Sequence, residues 1–215
     1  RALALTVLAT GTLLALGWWL DRGRPVALEN VPEARLQCVS YAPFRRPGET
    51  PFDPRLRVPP ERIEQDLRIL RARTDCVRTY SVHQGLEAVP AVARRLGMRV
   101  KLGAWIGRDP AANEAELERA LALVREYRDV VDLLIVGNEV LLRRELPASA
   151  LAGLLARARS GSPVPVTYAD VWEFWLRNDA LRNEVDAITV HILPYWEDDS
   201  VGVSEALTET AESRR

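Results

Sequence analysis

An Asn-Glu pair stands at the end of an apolar run in the middle of the sequence. Residues 133–140 read LLIVGNEV, a pattern typical of a buried strand that ends in two polar side chains. A carboxylic acid flanked by apolar residues can have a raised pKa and act as a general acid, and an amide beside it can hydrogen-bond a sugar hydroxyl. Glu139 is therefore the candidate catalytic acid and Asn138 a candidate substrate-binding residue. An alternative is that Glu139 caps the next helix or pairs with Arg143 or Arg144.

Polar and aromatic side chains also follow the other strand-like segments. Aromatic rings stack on pyranose faces, and amides and carboxylates bond sugar hydroxyls, so this set suits a carbohydrate. Besides Asn138, the candidate substrate-binding residues are Tyr41, Arg78, Tyr80, Tyr168, Asp170, His191, Tyr195 and Trp196. Two alternatives stay open: His191 as a hydrogen-bonded core histidine, and Asp170 as a helix cap.

A scaffold must bring these strand ends together. Six strand-like segments alternate with helix-like ones, at 37–41, 76–80, 99–103, 133–137, 164–168 and 187–192. Apolar strands joined by helices predict a parallel sheet, either in an open doubly wound sheet or in a closed (β/α)₈ barrel. Because the segment after Tyr41 reads APFRRPG, it cannot build the Gly-rich turn of a dinucleotide-binding sheet. The barrel is favoured.

The length of the chain limits how much of a barrel it can hold. Removing the N-terminal segment and a linker leaves about 180 of the 215 residues, whereas a complete barrel takes roughly 250. We therefore predict an α/β fold in which residues 37–215 form the N-terminal part of a TIM barrel. This part would hold about six βα units and lack strands seven and eight.

The first residues form a long uncharged stretch. Residues 2–20 contain no charge and only three threonines, and Trp18 and Trp19 lie at the end of the stretch. A helix of this length can span a bilayer core, and tryptophans favour the interface. We predict a transmembrane anchor at 1–21, with the lipid bilayer as its partner through residues 2–20, and a linker at 22–36.

Composition and charge exclude several functional classes. The chain has 29 Lys and Arg against 30 Asp and Glu, a net charge of −1, so it has no global attraction for nucleic acid. Cys38 and Cys76 lack zinc spacing, and two buried thiols are favoured over a disulfide, which would need an oxidising compartment. The sequence has neither a metal-ligand cluster nor a phosphate-binding loop, and we expect no metal and no cofactor.

Five segments together resemble glycoside hydrolase family 17. VGNEV at 136–140, VRTYSV at 77–82 and HILPYW at 191–196 carry the resemblance, and CVSYAPFR at 38–45 and VTYADVWEFW at 166–175 strengthen it. The family comprises β-1,3-glucanases and related glucanosyltransferases. The chain is most similar to its bacterial, membrane-anchored branch.

The resemblance implies roles for particular residues. Glu139 matches the family's acid/base, with Asn138 beside it, and Tyr80 and the Pro194-Tyr195 pair match the family's pattern near the site. The family's nucleophile is a Glu on strand seven in a segment like ETGWPS, and no such segment occurs in the 215 residues. Retaining hydrolysis needs two carboxylates about 5–5.5 Å apart, so we expect this chain by itself to be inactive.

The function implied is that of a retaining glycoside hydrolase acting on a β-1,3-glucan-type polysaccharide. Two alternatives stay open: a glucan transglycosylase that uses the same acid/base, and a non-catalytic, membrane-tethered glucan-binding module. A glucan substrate implies that the domain lies at the cell membrane on its periplasmic or extracellular side.

Overall fold

The computed structural model describes residues 2–24, 35–193 and 202–212. Two of the predicted site residues, Tyr195 and Trp196, lie outside this part of the chain. The chain divides into two compact units, of which the larger is Glu33–His191 and the smaller combines Arg1–Pro32 with Ile192–Arg215.

The larger unit is built on one parallel sheet of six strands. The strands are β1 (Val39–Ser40), β2 (Cys76–Arg78), β3 (Arg99–Ala104), β4 (Val131–Asn138), β5 (Val166–Val171) and β6 (Ala187–His191). Their order in the sheet is their order in the chain, and every neighbouring pair is parallel. A doubly wound sheet reverses its strand order at a switch point, whereas this sheet does not. The predicted alternation of strands and helices is confirmed, and the sheet curls into half of a barrel.

Helices connect the strands. They are α2 (Pro60–Arg71), α3 (Val89–Leu96), α4 (Pro110–Glu126), α5 (Ala148–Gly161) and the short α6 (Trp172–Arg177), with 3-10 turns at Leu86–Ala88 and Asp179–Glu184. Prolines occupy the first turns of α2, α3 and α4. Proline is tolerated there because the first backbone N–H groups of a helix have no partner within the helix.

The core lies between the sheet and these helices. Strand residues such as Leu102 and Leu134 and helix residues such as Leu117 and Leu155 are fully buried in one cluster. All six residues of β5 are buried, as expected for a parallel strand covered on both faces. The last strand differs, since Ile188 and Val190 of β6 are 48% and 39% exposed.

The smaller unit contains α1 (Ala2–Arg22) and α7 (Val203–Glu212). The predicted anchor is therefore helical, but none of the helices formed by the described residues is long and apolar enough to cross a membrane. The predictions of a transmembrane helix at 1–21 and of a bilayer partner are not supported. Most of the predicted linker lies outside the described residues.

A disulfide links Cys38 to Cys76. The interpretation of these residues as two separate thiols is wrong, because β1 and β2 are neighbours in the sheet and bring the two Cα atoms to 4.4 Å. The bond ties the segment before β1 to the first residue of β2, 38 positions later.

Reducing this disulfide should destabilise the domain. By the chain-entropy argument, a closed loop of this length contributes about 3–4 kcal/mol to the free energy of unfolding. We expect urea unfolding with reductant to show a lower midpoint than without it. The urea midpoint of the Cys38→Ser/Cys76→Ser variant should equal that of the reduced protein and should not change when reductant is added. Identical midpoints for oxidised and reduced wild-type protein would contradict the prediction.

Candidate active site

Glu139 lies at the C-terminal end of β4, as the sequence predicts. Its side chain is 26% exposed, and its Oε1 is 2.8 Å from Nδ1 of His191 at the end of β6. The Glu139 backbone N–H donates to the carbonyl of Ala169 on β5 at 2.7 Å, and its φ of 56° is left-handed. Strand β5 therefore holds the backbone of Glu139 and β6 holds its carboxyl group, while the side chain stays partly open to solvent.

Two arginines fix the orientation of Asn138. Arg78 Nη2 donates to Asn138 Oδ1 at 2.5 Å, and Arg143 Nη1 donates to the Asn138 backbone carbonyl. Because Arg143 also bonds Glu145 at 2.8 Å, its carboxylate partner is Glu145, and the alternative pairing with Glu139 is not formed. The amide is locked next to the candidate acid.

The site contains buried nitrogens without partners. Among the described residues, Arg78 Nε, Arg143 Nε and His191 Nε2 have no hydrogen-bond partner. Burial lowers the pKa of the Arg78 guanidinium, whereas the phenol of Tyr80 and the carboxylate of Glu139 act in the opposite direction. Buried polar groups are normally paired, and these three nitrogens lie close to Asn138 and Glu139 through the bonds of Arg78, Arg143 and His191.

Tyr168 and Asp170 lie inside the protein and not at its surface. Both are buried, at 1% and 0% exposure, and the Tyr168 hydroxyl donates to Asp170 Oδ2. Asp170 Oδ1 accepts from the backbone N–H of Val171 at 2.8 Å, and the Tyr168 ring lies 5.5 Å from that of Trp175. Their polar atoms have partners inside the protein, and their predicted contact with substrate stays a prediction.

Tyr41 is also nearly buried, and its hydroxyl is engaged. It donates to Asp66 Oδ2 at 2.9 Å, and Arg45 pairs with the same carboxylate at 2.6 Å. Burial, followed by this bond, raises the pKa of Tyr41 far above its ordinary value. The residue can therefore offer its ring, rather than its hydroxyl, to a ligand.

A groove of about 1170 Å³ opens beside the ends of β1, β2 and β3. Its aromatic lining residues are Tyr41, Phe44, Phe52, Tyr80 and Trp105. Two of these rings also make cation–π contacts with the arginines of the site. The Arg78 guanidinium lies 4.5 Å above the Tyr80 ring, and the Arg143 guanidinium lies 4.2 Å above the Trp105 ring. Glu139 does not line the groove, which meets the site through Tyr80 and Trp105.

Glu116 of α4 is a site-supporting residue that the sequence does not reveal. It is 2% exposed, and its Oε1 accepts from the backbone N–H groups of Val82 at 2.8 Å and Trp105 at 2.9 Å. Its Oε2 lies 3.0 Å from Nδ1 of His83. One buried carboxylate therefore joins the loops after β2 and β3. The helical pattern does not distinguish it from the neighbouring glutamates of α4.

The carboxylates of the site do not form a cation-binding cluster. In the described ranges, no group of three or more His, Cys, Asp or Glu side chains could hold a metal ion. Asp170 interacts electrostatically with Glu139, but hydrogen bonds from Tyr168 and Val171 occupy both of its oxygens.

Known proteins resemble this chain over most of its larger unit. The model of the BtgE/BtgC glycoside hydrolase domain matches residues 38–214. A protein named probable beta-glucosidase btgE from Aspergillus clavatus is 33% identical over 137 residues, covering 60% of this chain and 24% of that protein. A glucan 1,3-beta-glucosidase from Schizosaccharomyces pombe is 32% identical over 145 residues, covering 61% and 45%. The chain thus spans less than half the length of these relatives.

A solved structure of similar fold comes from Rhizomucor miehei. It is a glycoside hydrolase family 17 β-1,3-glucanosyltransferase, with 26% identity, a TM-score of 0.65, and coverage of 82% of this chain and 64% of that one. An active-site mutant of the β-1,3-glucanosyltransferase of the same organism, in complex with laminaritriose, superimposes with a TM-score of 0.63. The narrower resemblance to a bacterial, membrane-anchored branch stays a prediction. The match across residues 38–214 shows that the chain belongs to the BtgE/BtgC glycoside hydrolase domain family, which is of the glycoside hydrolase family 17 type.

Proposed function

We propose that the domain is part of a retaining glycoside hydrolase that acts on β-1,3-glucan, with Glu139 as its acid/base. The observation that carries this proposal is the accessible Glu139 carboxyl at a strand end, bonded to His191 and followed along the rim by an aromatic groove. The names of the relatives support the substrate class, since they include a glucan 1,3-beta-glucosidase and a glucanosyltransferase bound to laminaritriose.

The geometry suggests how Glu139 would work. Since His191 Nδ1 holds Oε1, Oε2 is the atom that presents the proton to the glycosidic oxygen. The bond from the anomeric carbon to that oxygen breaks as the proton is transferred, and a second carboxylate captures the sugar from its other face. Glu139, now ionised, next removes a proton from water or from a sugar hydroxyl. The oxygen of that acceptor forms a bond to the anomeric carbon, the bond between this carbon and the second carboxylate breaks, and the second carboxylate is set free.

The second carboxylate of this mechanism is proposed to lie on a further strand. Asp170, the described carboxylate that interacts with Glu139, has its oxygens occupied. The half-buried Arg78 guanidinium, bonded to Asn138, adds a positive charge to this part of the site. We accordingly place the nucleophile on strand seven of a complete eight-unit barrel. Inactivity of the 215-residue chain alone stays a prediction.

Product analysis tests this function. The full-length protein, incubated with laminarin oligosaccharides, should release shorter oligosaccharides with retention of the β configuration, as followed by NMR. Release of the α anomer first would contradict the retaining mechanism. Binding of the oligosaccharides without any new product would favour a non-catalytic glucan-binding module.

A glucanosyltransferase is the second candidate function. The similarity to the Rhizomucor enzyme favours it, since that relative is named for transfer. Transfer and hydrolysis share the first half-reaction and differ in whether a sugar or water accepts the glycosyl group. Products longer than a single labelled donor would indicate transfer, and shorter products alone would indicate hydrolysis.

We also propose that the domain lies outside the cytoplasm. The Cys38–Cys76 disulfide supports this location, because disulfides persist mainly in oxidising compartments. A polymeric glucan substrate supports the same location. A thiol-reactive maleimide added to denatured protein from cells should label Cys38 and Cys76, as located by peptide mass spectrometry, only after reduction, and labelling of these two residues without reduction would contradict the proposal.

Arg78→Lys should impair catalysis by the full-length protein. Lysine lacks the planar fork that bonds Asn138 while stacking on Tyr80, and we expect kcat/KM on laminarin to fall about 10- to 100-fold because the site would be misaligned. The matched control is Arg99→Lys. Arg99 is the first residue of β3 and so lies at the end of the sheet away from the site, where it forms an exposed ion pair with Asp132. Equal activity of both variants would argue against a role for Arg78.

A further inference from the structure

The chain turns sharply at the end of β4 through unusual backbone conformations. Gly137 and Glu139 have φ angles of 84° and 56°, and Arg144 follows with 53°. A left-handed conformation is disfavoured for residues that carry a side chain. The conformation of Glu139 therefore depends on contacts that hold the turn from outside.

Strand β5 supplies these contacts along one short stretch. The carbonyl of Ala169 accepts from the Glu139 N–H at 2.7 Å, and the Tyr168 hydroxyl oxygen accepts from the Leu141 N–H at 3.0 Å. The Leu142 N–H approaches Asp170 Oδ2 at 3.5 Å. Three consecutive residues of β5, Tyr168 to Asp170, thus accept from or face the backbone amides of Glu139, Leu141 and Leu142.

Tyr168 and Asp170 are linked so that each supports the other. The Tyr168 hydroxyl donates to Asp170 while it accepts from Leu141, so it uses its proton and a lone pair together. Burial raises the pKa of the Tyr168 phenol, which keeps that proton in place. Burial also raises the pKa of the Asp170 carboxyl, against the hydrogen bonds from Tyr168, Val171 and Leu142. Neither polar group reaches solvent.

We propose that Tyr168 and Asp170 are positioning residues that act through Glu139, and we call them the β5 clamp. The proposal rests on the role of Glu139 as acid/base. The clamp holds the backbone of the turn, and His191 holds the carboxyl group, so the acid is fixed at both of its ends. Loss of the clamp would leave the groove intact while letting the Glu139 carboxyl drift from the scissile bond.

The test is Tyr168→Phe in the full-length protein, which keeps the ring beside Trp175 and removes only the hydroxyl. We expect kcat on laminarin oligosaccharides to fall about 10- to 100-fold, as for other small misplacements of a catalytic group, while KM stays within about twofold of wild type. The control is Tyr127→Phe, which removes a hydroxyl bonded to Glu126 at the far end of α4 and should leave both constants unchanged. Circular dichroism at the assay temperature confirms that each variant is folded.

Other outcomes would overturn the clamp. A raised KM with unchanged kcat would make Tyr168 a substrate contact, and unchanged constants would make its hydroxyl dispensable. If Tyr168→Phe does not fold, Asp170→Asn should give the same kinetic split. Independently, the wild-type Leu141 amide should exchange slowly with solvent, and exchange as fast as in exposed turns would refute the clamp.

Amide exchange also separates this inference from the proposed function. If the wild-type full-length protein shows no turnover, the proposed function fails. Faster exchange of the Leu141 amide in Tyr168→Phe, with the amides of α4 unchanged, would still support the clamp as a device that holds the Glu139 turn. Unchanged Leu141 exchange in a folded variant would refute the clamp itself.

Discussion

Replacing Glu139 with Gln should lower kcat of the full-length protein on laminarin by about 10²- to 10⁴-fold, the range that a positioned general acid contributes. Glutamine has the same shape and can keep a hydrogen bond to His191, but it has no acidic proton to give to the glycosidic oxygen. Release of reducing sugar from laminarin measures the effect. For a dinitrophenyl glycoside, Glu139→Gln should slow the first step less than it does for laminarin, because the dinitrophenolate leaving group needs no protonation.

The matched control for this variant is Glu126→Gln. Glu126 is exposed at the last residue of α4, away from the strand ends that form the site. The Glu126→Gln variant should cleave laminarin at the wild-type rate. Wild-type activity in a folded Glu139→Gln protein would remove the basis of the proposed mechanism.

Gly137→Ala should cause a large loss of stability. Gly137 has a φ of +84°, and a Cβ atom there would lie 2.7 Å from Cγ2 of the buried Val140. A left-handed alanine and an overpacked contact together should lower the free energy of unfolding by about 2–4 kcal/mol. For a domain of this size, that corresponds to a fall in Tm of about 5–15 °C, measurable by calorimetry.

The control is Gly153→Ala, within α5. A Cβ atom at Gly153 would meet nothing within 4 Å, and alanine favours a helix over glycine by about 1 kcal/mol. We expect Tm to stay the same or rise slightly. A Tm for Gly137→Ala equal to that of wild type would show that the turn after β4 adapts to a side chain.

The two substitutions probe residues that lie two positions apart in one motif. Gly137 allows the strand to bend, and the bend places the Glu139 carboxyl at the C-terminal ends of the strands. The register of β4 with β5 is irregular between Ile135 and Asn138, where this bend begins. The conformation of the backbone and the position of the acid are therefore parts of the same local structure.

Local sequence patterns predicted much of this architecture. Apolar segments of strand length alternating with helical periodicity depend only on neighbours in the chain, and all six strand-like segments form strands. The Asn-Glu pair could be placed at a strand end for the same reason. The N-terminal stretch was predicted from its uncharged run to span a membrane, and none of the helices of the described residues is long and apolar enough to do so.

Burial and pairing could not be predicted in this way. Tyr168 and Asp170 follow the pattern of rim residues, yet they are buried, because the turn after Glu139 folds over them. Glu116 looks like an ordinary helix glutamate, yet it joins two loops through the N–H groups of Val82 and Trp105. The disulfide depended on which strands are neighbours.

The sequence alone determined the parallel βα architecture, the family and the identity of the candidate acid, because periodicity and short motifs are encoded within a few consecutive residues. Only the tertiary structure decided the partners of that acid. His191 reaches Glu139 across 52 residues of chain, and Arg78 reaches Asn138 across 60. Such contacts arise when parallel strands bring distant carboxyl ends to one edge of a sheet, and their geometry depends on the packing of the whole domain.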